Sequence, residues 1–374
     1  MHIVADENLS LTDYFFKPFG SVTTLAGRGI TAENLVNTDA LLVRSVTKVT
    51  PQLIQTAAEK STTAQRIGFV GSATIGTDHL DVEGLQAMGV VVANAPGCNA
   101  QAVAEYVVTA ILTLHPERAT QAGFTLGIVG FGNVGQRLAA LSKRLGWRVI
   151  GVDPFVVSEG IEQVTLTEML PQVDAVSFHV PITTSGKEHT YHLMNDETFA
   201  LLKPDTMLIN SARGAVISET ALLADFASSR AKGENIRSVV LDVFEHEPKI
   251  SSNLLNDLAL ATPHIAGYSL EGKAKGTEMI YQAFCKWQGV EPELTLENML
   301  PAMPQLFDTN KQLIEQLPTI LPMLYPIRED DAALRACLRE DESSNDATVD
   351  AASFDRLRKE YNLRREWASY GDSI

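Results

Sequence analysis

The 374-residue chain has little cysteine, no long apolar run and fewer basic than acidic residues. Its three cysteines, Cys98, Cys285 and Cys337, are too few and too scattered for a disulfide framework or a zinc site, so we expect no bound metal. The most apolar helical segment, residues 100–114, contains Glu105 and is too short to cross a bilayer, which argues against a membrane partner. The net charge of −16 argues against nucleic acid as a partner, because nonspecific binding requires a basic surface.

The remaining composition is that of a folded protein. Apolar residues make up 45% of the chain and charged residues 20%, which argues against global disorder. The length predicts two or three domains. Asp6 and Glu7 stand where a secretory signal requires basic residues followed by a long apolar run, so we expect a cytoplasmic location.

Residues 125–153 contain a complete dinucleotide-binding pattern. An apolar run leads into a turn with Gly130, Gly132 and Gly135, a helical segment follows, and a second apolar run ends at Asp153. Gly130 permits a tight turn, Gly132 lets the backbone approach a pyrophosphate, and Gly135 lets helix and strand pack closely. Asp153 would accept hydrogen bonds from the adenosine ribose and repel a 2′-phosphate, so the pattern predicts NAD rather than NADP as the cofactor.

The predicted helix after the glycine turn adds two cofactor contacts. Its first residues are Asn133 and Val134. The N–H groups at a helix N-terminus have no partner within the helix, and they bind phosphate groups well. We therefore predict that both residues contact the pyrophosphate of NAD.

Strand-like apolar runs alternate with helical patterns over about 290 residues, which is typical of βαβ units and parallel sheets. We predict an α/β protein with two doubly wound lobes: a flavodoxin-like substrate lobe of residues 1–95 and 270–290, and a Rossmann NAD lobe of residues 96–269. Ligands bind outside the carboxyl ends of such strands, so we expect a cleft between the lobes. In the second lobe, strand-like runs occupy residues 128–129, 149–150, 175–178, 207–209, 239–241 and 258–260.

Residues 291–374 differ from the rest of the chain. They contain 17 acidic and 9 basic residues and are interrupted by prolines. We predict a third, small α+β domain, with helices over residues 308–316 and 351–367. A segment of this length is marginal in isolation and would gain stability by packing on another subunit.

Three strand ends after the glycine motif carry residues suited to hydride transfer. The reaction needs a proton acceptor, a carboxylate that orients it, and a cation that holds the substrate carboxylate and polarises the carbonyl. Histidine suits the first role because its ordinary pKa is near 6.5, and arginine binds carboxylates bidentately. We predict His264, Glu247 and Arg213 for these roles, with Ser211 beside them as a cofactor contact.

Each of these assignments has a structural alternative. Arg213 could be an ordinary residue before a helix, Glu247 a solvated loop residue, and His264 a half-buried structural histidine. His179, at the end of another strand, is the rival base, and we favour a structural or cofactor-rim role for it. The occurrence of all three residues after one dinucleotide motif favours the catalytic interpretation.

These motifs resemble the signatures of the NAD-dependent D-2-hydroxyacid dehydrogenases, from residue 1 to about residue 290. The resemblance implies that Arg213 is the catalytic and carboxylate-binding arginine, Glu247 the orienting acid and His264 the proton donor. It further implies Asp242 near the nicotinamide amide and Asp153 on the ribose. The segments that carry it are residues 130–135, 210–214, 241–248 and 262–264.

The first lobe and the tail narrow the resemblance to a branch of this family that oxidises 4-phospho-D-erythronate in vitamin B6 biosynthesis. It implies Ser45, Thr74 and Tyr268 as substrate contacts, Gly267 as a cofactor contact, and a homodimer formed through the C-terminal domain. Arg44 adds a cation beside Ser45 for an anionic substrate. The segments concerned are residues 43–49, 94–99, 263–274 and 354–367.

Several alternatives stay open. The loops near residues 44–48 and 69–78 could be a solvated edge and a helix cap, Tyr268 could pack on a partner subunit, and the phosphate ligands are not fully assigned. A 3-phosphoglycerate dehydrogenase would use the same chemistry, with no tail or with a β-rich regulatory domain. An NAD-sensing protein without catalytic activity is a more remote alternative.

Overall fold

The computed structural model describes residues 1–62, 66–297, 299–340 and 346–372. The chain divides into two compact units: one consists of Met1–Asn99 and Ser269–Ala302, the other of Ala100–Tyr268 and Met303–Ile374. The C-terminal segment thus groups with the second unit, while the three-domain assignment stays a prediction. Across the described ranges, no helix is both long enough and apolar enough to cross a membrane.

The first unit is built on a parallel sheet. Its described strands are β1 (His2–Asp6), β2 (Ser21–Leu25), β3 (Ala40–Val43), β4 (Phe69–Ser72) and β5 (Val91–Ala93). Their order, β2-β1-β3-β4-β5, is the flavodoxin-like order, which confirms the predicted fold of this part. Strands β3 and β4 are buried at every residue, as expected where both faces of a parallel sheet are covered. The α-helices are Thr12–Phe16, Pro51–Lys60, Val82–Ala87 and Leu270–Gln288, and the 3-10 helices are Lys17–Phe19, Gly27–Gly29 and Ala32–Leu35.

The second unit contains a larger parallel sheet. Its described strands are β6 (Thr125–Val129), β7 (Arg148–Val152), β8 (Glu162–Gln163), β9 (Ala175–Phe178), β10 (Met207–Asn210), β11 (Val239–Leu241) and β12 (Leu260–Ala261). Read from β8 to β12 and numbered from β6, the strand order is the Rossmann order 3-2-1-4-5-6, with β12 as a seventh strand. Each of the six predicted strands has a counterpart in the structure, and the edge strand β8 was not predicted. The order reverses between β6 and β9, which is where such sheets bind ligands.

Helices cover this second sheet. The long apolar helix Ala100–Leu114 is buried along nearly its whole length. Helix Asn133–Arg144 follows the glycine turn and begins at the predicted residue, Asn133. The other α-helices up to residue 268 are Pro116–Ala119, Leu166–Met169, Asp196–Phe199, Glu219–Ala231 and Ser252–Asp257, with a 3-10 helix at Gly214–Val216.

The C-terminal segment forms the predicted small α+β structure, but its helix bounds differ from the prediction. The helix predicted at residues 308–316 lies instead at Leu313–Leu324 and contains Pro318 and Pro322. Prolines normally disfavour a helix interior, and here the burial of the apolar helix face offsets that cost. The helix predicted at 351–367 ends at Lys359. The remaining elements are helix Ile327–Arg335, the antiparallel pair β13 (Leu338–Arg339) and β14 (Thr348–Val349), and the 3-10 helix Trp367–Tyr370.

A buried carboxyl group joins the C-terminal segment to the long apolar helix. Glu105, 2% exposed, accepts hydrogen bonds from Gln101 Nε2 at 2.7 Å and from the Trp367 backbone N–H at 3.0 Å. Trp367 is itself buried in the cluster formed by the helices Ala100–Leu114 and Leu313–Leu324. Burial is the main reason that the pKa of Glu105 lies well above its usual range, so folding favours the protonated carboxyl group.

This pKa shift predicts the effect of Glu105→Gln. Because the pKa of Glu105 is raised in the folded state, the wild-type protein loses stability as the pH rises through and above the carboxyl group's ordinary pKa. Glutamine keeps a neutral acceptor for Trp367 and cannot ionise. We expect a Tm increase of a few degrees at pH 8, on the order of 1 kcal/mol, and a smaller increase at pH 5, measured by scanning calorimetry. A lower Tm at pH 8 would instead show that Glu105 is ionised and paired.

Candidate functional site

The glycine turn lies at the reversal point of the second sheet. Gly130 has φ 95°, and a Cβ there would lie 2.5 Å from the carbonyl oxygen of His179, which follows β9. A Cβ on Gly135 would lie 1.9 Å from the Gly130 carbonyl oxygen. A Cβ on Gly132 would meet no atom within 4 Å. Two glycines are therefore needed for the turn itself, and the third faces open space.

The N-terminus of the following helix is suited to a phosphate ligand. No side chain caps helix Asn133–Arg144, whose N-cap residue is Gly132. Its first N–H groups, including those of Asn133 and Val134, therefore donate no hydrogen bond to a capping side chain. The buried Ser211 hydroxyl, at the end of β10, has no hydrogen-bond partner among the described residues. These features fit a dinucleotide, with Ser211 as one of the residues that would hold it.

Asp153 links the end of β7 to the glycine turn. One carboxylate oxygen accepts the Phe131 N–H at 2.7 Å, and the other accepts the Phe155 and Val156 N–H groups at 2.8 and 3.0 Å. The carboxylate is therefore fixed beside the turn and keeps acceptor capacity for a ribose hydroxyl. This placement is the one expected of the ribose-binding acid of a dinucleotide site.

The loop that carries Arg213 packs directly on the loop after β11. Asn210 fixes its shape, because its side chain donates to the Arg213 carbonyl at 2.9 Å and accepts the Ala212 N–H at 3.1 Å. A Cβ on Gly214 would lie 2.0 Å from the backbone of Phe244. The absence of that Cβ lets the Arg213 loop approach the loop that ends at Glu247.

His264 and Glu247 form a hydrogen-bonded pair. His264 Nδ1 lies 2.9 and 3.2 Å from the two carboxylate oxygens of Glu247, and the histidine side chain is 36% exposed. Burial acts to raise the pKa of Glu247, but the hydrogen bond and charge of His264, together with Arg358, outweigh it and lower the pKa. The carboxylate therefore stays ionised beside an imidazole that is partly accessible.

Asp242 shapes the turn that presents His264. Its carboxylate, 1% exposed, accepts hydrogen bonds from Thr262 Oγ1 at 2.6 Å and from the N–H groups of Ile265 and Ala266 at 2.8 and 2.9 Å. Burial raises its pKa, although the nearby His264 and these hydrogen bonds oppose that effect. The structure thus gives Asp242 a role in the His264 loop, and its predicted contact with nicotinamide stays a prediction.

His179, the rival base, has different surroundings. Its Nε2 lies 2.9 Å from Ser177 Oγ, and burial lowers its pKa to about 3. The ring is therefore neutral near pH 7 and would resist taking up a proton. Its backbone carbonyl adjoins Gly130. This position favours the structural or cofactor-rim role over that of a proton acceptor.

Sequence reasoning missed Arg358, which belongs to the C-terminal helix Ala351–Lys359. Its guanidinium lies 4.0 Å from Glu247 Oε1, and its Nε is buried without a hydrogen-bond partner. Burial acts to lower the pKa of Arg358, but the neighbouring Tyr268, Glu247 and Asp242 outweigh it and raise the pKa. Tyr268 and Gly267 are both half-buried on the His264 loop. The available signal was a cluster of basic residues at 356–365 within an acidic tail.

The residues predicted for the first unit lie along one edge of its sheet. Strands β3 and β4 pair in parallel with Val43 opposite Ser72, so the loops carrying Arg44 and Thr74 leave the same edge. Thr74 Oγ1 lies 2.7 Å from Ser72 Oγ. Ser45 is exposed and Arg44 half-buried. The structure therefore brings hydroxyl groups and a cation to this edge.

Comparison with known proteins defines the class. A family described as "D-isomer specific 2-hydroxyacid dehydrogenase, NAD binding domain" matches residues 113–266, and "Domain of unknown function (DUF3410)" matches residues 301–371. The structure of NAD+-bound 3-phosphoglycerate dehydrogenase from Entamoeba histolytica shares the fold, with 23% identity and a TM-score of 0.62, over 77% of this chain and 95% of that one. The fold and the matched family are those of an NAD-dependent dehydrogenase.

Two curated relatives identify the family within this class of dehydrogenases. Erythronate-4-phosphate dehydrogenase from Acinetobacter baumannii ATCC 17978 is 53% identical over 99% of both chains. The enzyme of the same name from Acinetobacter baylyi is 51% identical over the full length of both. The chain therefore belongs to the erythronate-4-phosphate dehydrogenase family.

The glycine turn predicts different effects for two alanine substitutions. Gly135→Ala places a Cβ against backbone, so we expect it to destabilise the fold by about 1–3 kcal/mol or more. Gly132→Ala meets no protein atom and should leave stability within about 0.5 kcal/mol. It should nevertheless weaken NADH binding, because the new Cβ occupies the path of the pyrophosphate. Thermal unfolding and NADH fluorescence titration measure the two effects, and unchanged binding in Gly132→Ala would contradict the predicted site.

Arg358 predicts a change in pH dependence. Its charge is one of the causes that lower the pKa of Glu247, so Arg358→Gln should raise that pKa. If ionised Glu247 supports turnover, activity is lost as the pH falls through this pKa, and the acid-side loss in kcat/KM should begin at higher pH in the variant. Arg356→Gln, an exposed site on the same helix, is the matched control. Identical acid limbs in all three proteins would argue against the coupling.

Proposed function

We propose that the protein catalyses the NAD-dependent oxidation of 4-phospho-D-erythronate to 2-oxo-3-hydroxy-4-phosphobutanoate, a step in vitamin B6 biosynthesis. The observation that carries this proposal is the combination of family membership at 53% identity with the His264–Glu247 pair at 2.9 Å. When bound, NAD accepts the hydride that leaves C2 of the substrate. The protein must remove the hydroxyl proton, hold the substrate and stabilise the charge that develops.

His264 takes the proton. Its Nδ1 lies against the Glu247 carboxylate, which holds the proton at Nδ1 and leaves Nε2 as the acceptor for the C2 hydroxyl proton. The imidazolium then formed is stabilised by the ionised Glu247, whose pKa lies below its usual range. His179 is not needed for this step, since burial lowers its pKa to about 3.

Arg213 holds the substrate carboxylate. A guanidinium binds a carboxylate through two parallel hydrogen bonds and polarises the adjacent carbonyl as it forms. The Asn210 side chain and Gly214 fix the Arg213 loop beside the loop of Glu247. The fixed loop supports a catalytic role for Arg213 over that of an ordinary residue before a helix.

We assign the remaining contacts to the two ligands. We assign Gly130, Gly132, Asn133, Val134, Gly135, Asp153, Ser211, Asp242 and Gly267 to NAD. The supporting features are the open space at Gly132, the uncapped helix and the unpartnered Ser211 hydroxyl. We assign Arg44, Ser45, Thr74 and Tyr268 to the substrate.

We extend the proposal to a cytoplasmic homodimer. The family resemblance of the C-terminal domain is the reason for the dimer. Helix Leu313–Leu324 supports it by exposing Met323 at 58% while its other face is buried. The scattered cysteines and the acidic N-terminal residues are the reasons for the location.

Two other functions are less well supported. A 3-phosphoglycerate dehydrogenase would share the chemistry, but a β-rich regulatory domain is unlike the described residues of 303–372, where helices dominate and one two-stranded sheet occurs. A purely NAD-sensing protein would not need a histidine–carboxylate pair beside a half-buried arginine.

Initial rates on 4-phospho-D-erythronate and 3-phospho-D-glycerate test the proposal. We expect kcat/KM to favour 4-phospho-D-erythronate by at least about tenfold, since a site shaped for it accommodates one more hydroxyl-bearing carbon than 3-phospho-D-glycerate contains. His264→Gln should retain NADH binding and lose about 10²–10⁴-fold in turnover, because only the proton acceptor is removed. Asn195→Ala, on the N-cap of helix Asp196–Phe199, serves as a control substitution outside the candidate site.

Three outcomes would reject parts of this proposal. A preference for 3-phospho-D-glycerate would reject the substrate. Near-normal turnover in His264→Gln would reject its role as proton acceptor. Tight NADH binding without hydride transfer to any 2-hydroxy acid would favour the NAD-sensing alternative.

A further inference from the structure

The loop of residues 262–268 is held from two directions by buried side chains of opposite charge. Asp242 accepts hydrogen bonds from its N–H groups at Ile265 and Ala266. Arg364, from the C-terminal segment, donates to its carbonyl groups. Arg364 Nη1 lies 3.1 Å from both the Ile265 and Tyr268 carbonyl oxygens, and Nη2 donates to the Ala266 carbonyl oxygen. The backbone on which His264 lies is therefore fixed from both its donor and its acceptor side.

Arg364 reaches this loop from almost a hundred residues away in the chain. It is 9% exposed, and Nη2 also donates to the Ala102 carbonyl at 3.0 Å, on the first turn of the long apolar helix. Its guanidinium stacks 4.5 Å from the centre of the Tyr325 ring. A burial of this kind is costly for a cation unless hydrogen bonds and nearby aromatic rings compensate it. The carbonyl groups of the His264 loop supply most of that compensation.

The loop has a reason to require such support. His264 has φ 59°, a left-handed conformation that few residues other than glycine adopt. Such a conformation is unfavourable and persists only where the surroundings fix it. The hydrogen bonds from Arg364 to residues 265, 266 and 268 are on the C-terminal side of His264. They therefore restrain the part of the loop through which His264 would otherwise relax.

We propose that Arg364 is a positioning residue for the dehydrogenase reaction, through which the C-terminal segment holds His264 in register with Glu247. The inference rests on the proposed function, because it takes His264 as the proton acceptor. The C-terminal domain then contributes to catalysis within its own subunit, in addition to any role in association. Arg364 itself acts through the backbone and not on the substrate.

The guanidinium geometry explains why lysine should not replace it. Arginine has five N–H donors in a rigid fork, and Arg364 uses its two terminal nitrogens on four carbonyl groups. An ammonium group has three donors on one atom and is more strongly hydrated. Arg364→Lys should therefore keep the charge and lose the loop geometry.

The test compares Arg364→Lys and Arg364→Ala with a matched substitution. Arg335 lies at the end of helix Ile327–Arg335 and, like Arg364, donates to backbone carbonyl groups. Its acceptors, the carbonyl oxygens of Leu255 and Leu258, precede β12 and are outside the His264 loop. Arg335→Ala should thus lower stability without moving His264. Each variant is measured in the full-length protein for Tm, NADH binding, kcat, KM and the primary isotope effect with substrate deuterated at C2.

We expect kcat to fall about 10²-fold in both Arg364 variants, because a displacement of about 1 Å at a reacting group costs this much. NADH binding should stay near the wild-type value, and the isotope effect on kcat should increase, because hydride transfer becomes slower relative to product release. Arg335→Ala should keep the wild-type kcat per folded molecule and the wild-type isotope effect.

Other outcomes would overturn the inference. Equal kcat values for the Arg364 and Arg335 variants, or an unchanged isotope effect, would show that Arg364 only stabilises the fold. Full recovery in Arg364→Lys would show that the charge suffices and would overturn the positioning role of the guanidinium. If Arg364→Ala does not fold, Arg364→Lys still decides the question. If the wild-type enzyme oxidises another 2-hydroxy acid in place of 4-phospho-D-erythronate, the proposed substrate is rejected, and the same ratios measured on that acid still decide this inference.

Discussion

The candidate site depends on one buried carboxylate, that of Asp242. It lies directly after β11, is 1% exposed, and accepts hydrogen bonds from the side chain or backbone of Thr262, Ile265 and Ala266. Removing an acid from water costs several kcal/mol, and hydrogen bonds from the neighbouring loop, together with the nearby His264, offset part of this cost. The loop after β12 must therefore fold around the end of β11, and that constraint determines where His264 lies.

Close backbone approach extends the same constraint to the other half of the site. Gly214 leaves no room for a side chain against Phe244, so the Arg213 loop and the loop leading to Glu247 pack as one layer. Glu247 then meets His264 Nδ1 at 2.9 Å. Adjacent parallel strands β10, β11 and β12 all end at this edge. Sheet register and one glycine thus bring Glu247 to His264 and the Arg213 loop against the loop that leads to Glu247.

Local rules explain why much of this was predictable. The strand, glycine turn, helix and acid of residues 125–153 are fixed by short-range spacing, and Gly130 and Gly135 have steric reasons that the sequence already indicates. The C-terminal segment follows no such rule. Its first long helix passes through Pro318 and Pro322 because tertiary burial outweighs the cost of proline, which sequence patterns do not reveal. The basic cluster at residues 356–365 did not reveal what Arg358 and Arg364 contact, since their partners lie about a hundred residues earlier in the chain.

The C-terminal segment contributes both to the net charge of the protein and to the positive charge beside the candidate site. With 17 acidic and 9 basic residues it adds to the net charge of −16, which repels an anionic substrate at long range. Yet two of its arginines lie beside the candidate site, the half-buried Arg358 on Glu247 and the buried Arg364 on the His264 loop. Screening at physiological ionic strength weakens the distant acidic charges far more than these buried or half-buried cations. The two arginines therefore set the charge beside the candidate site more strongly than the net charge of the whole protein does.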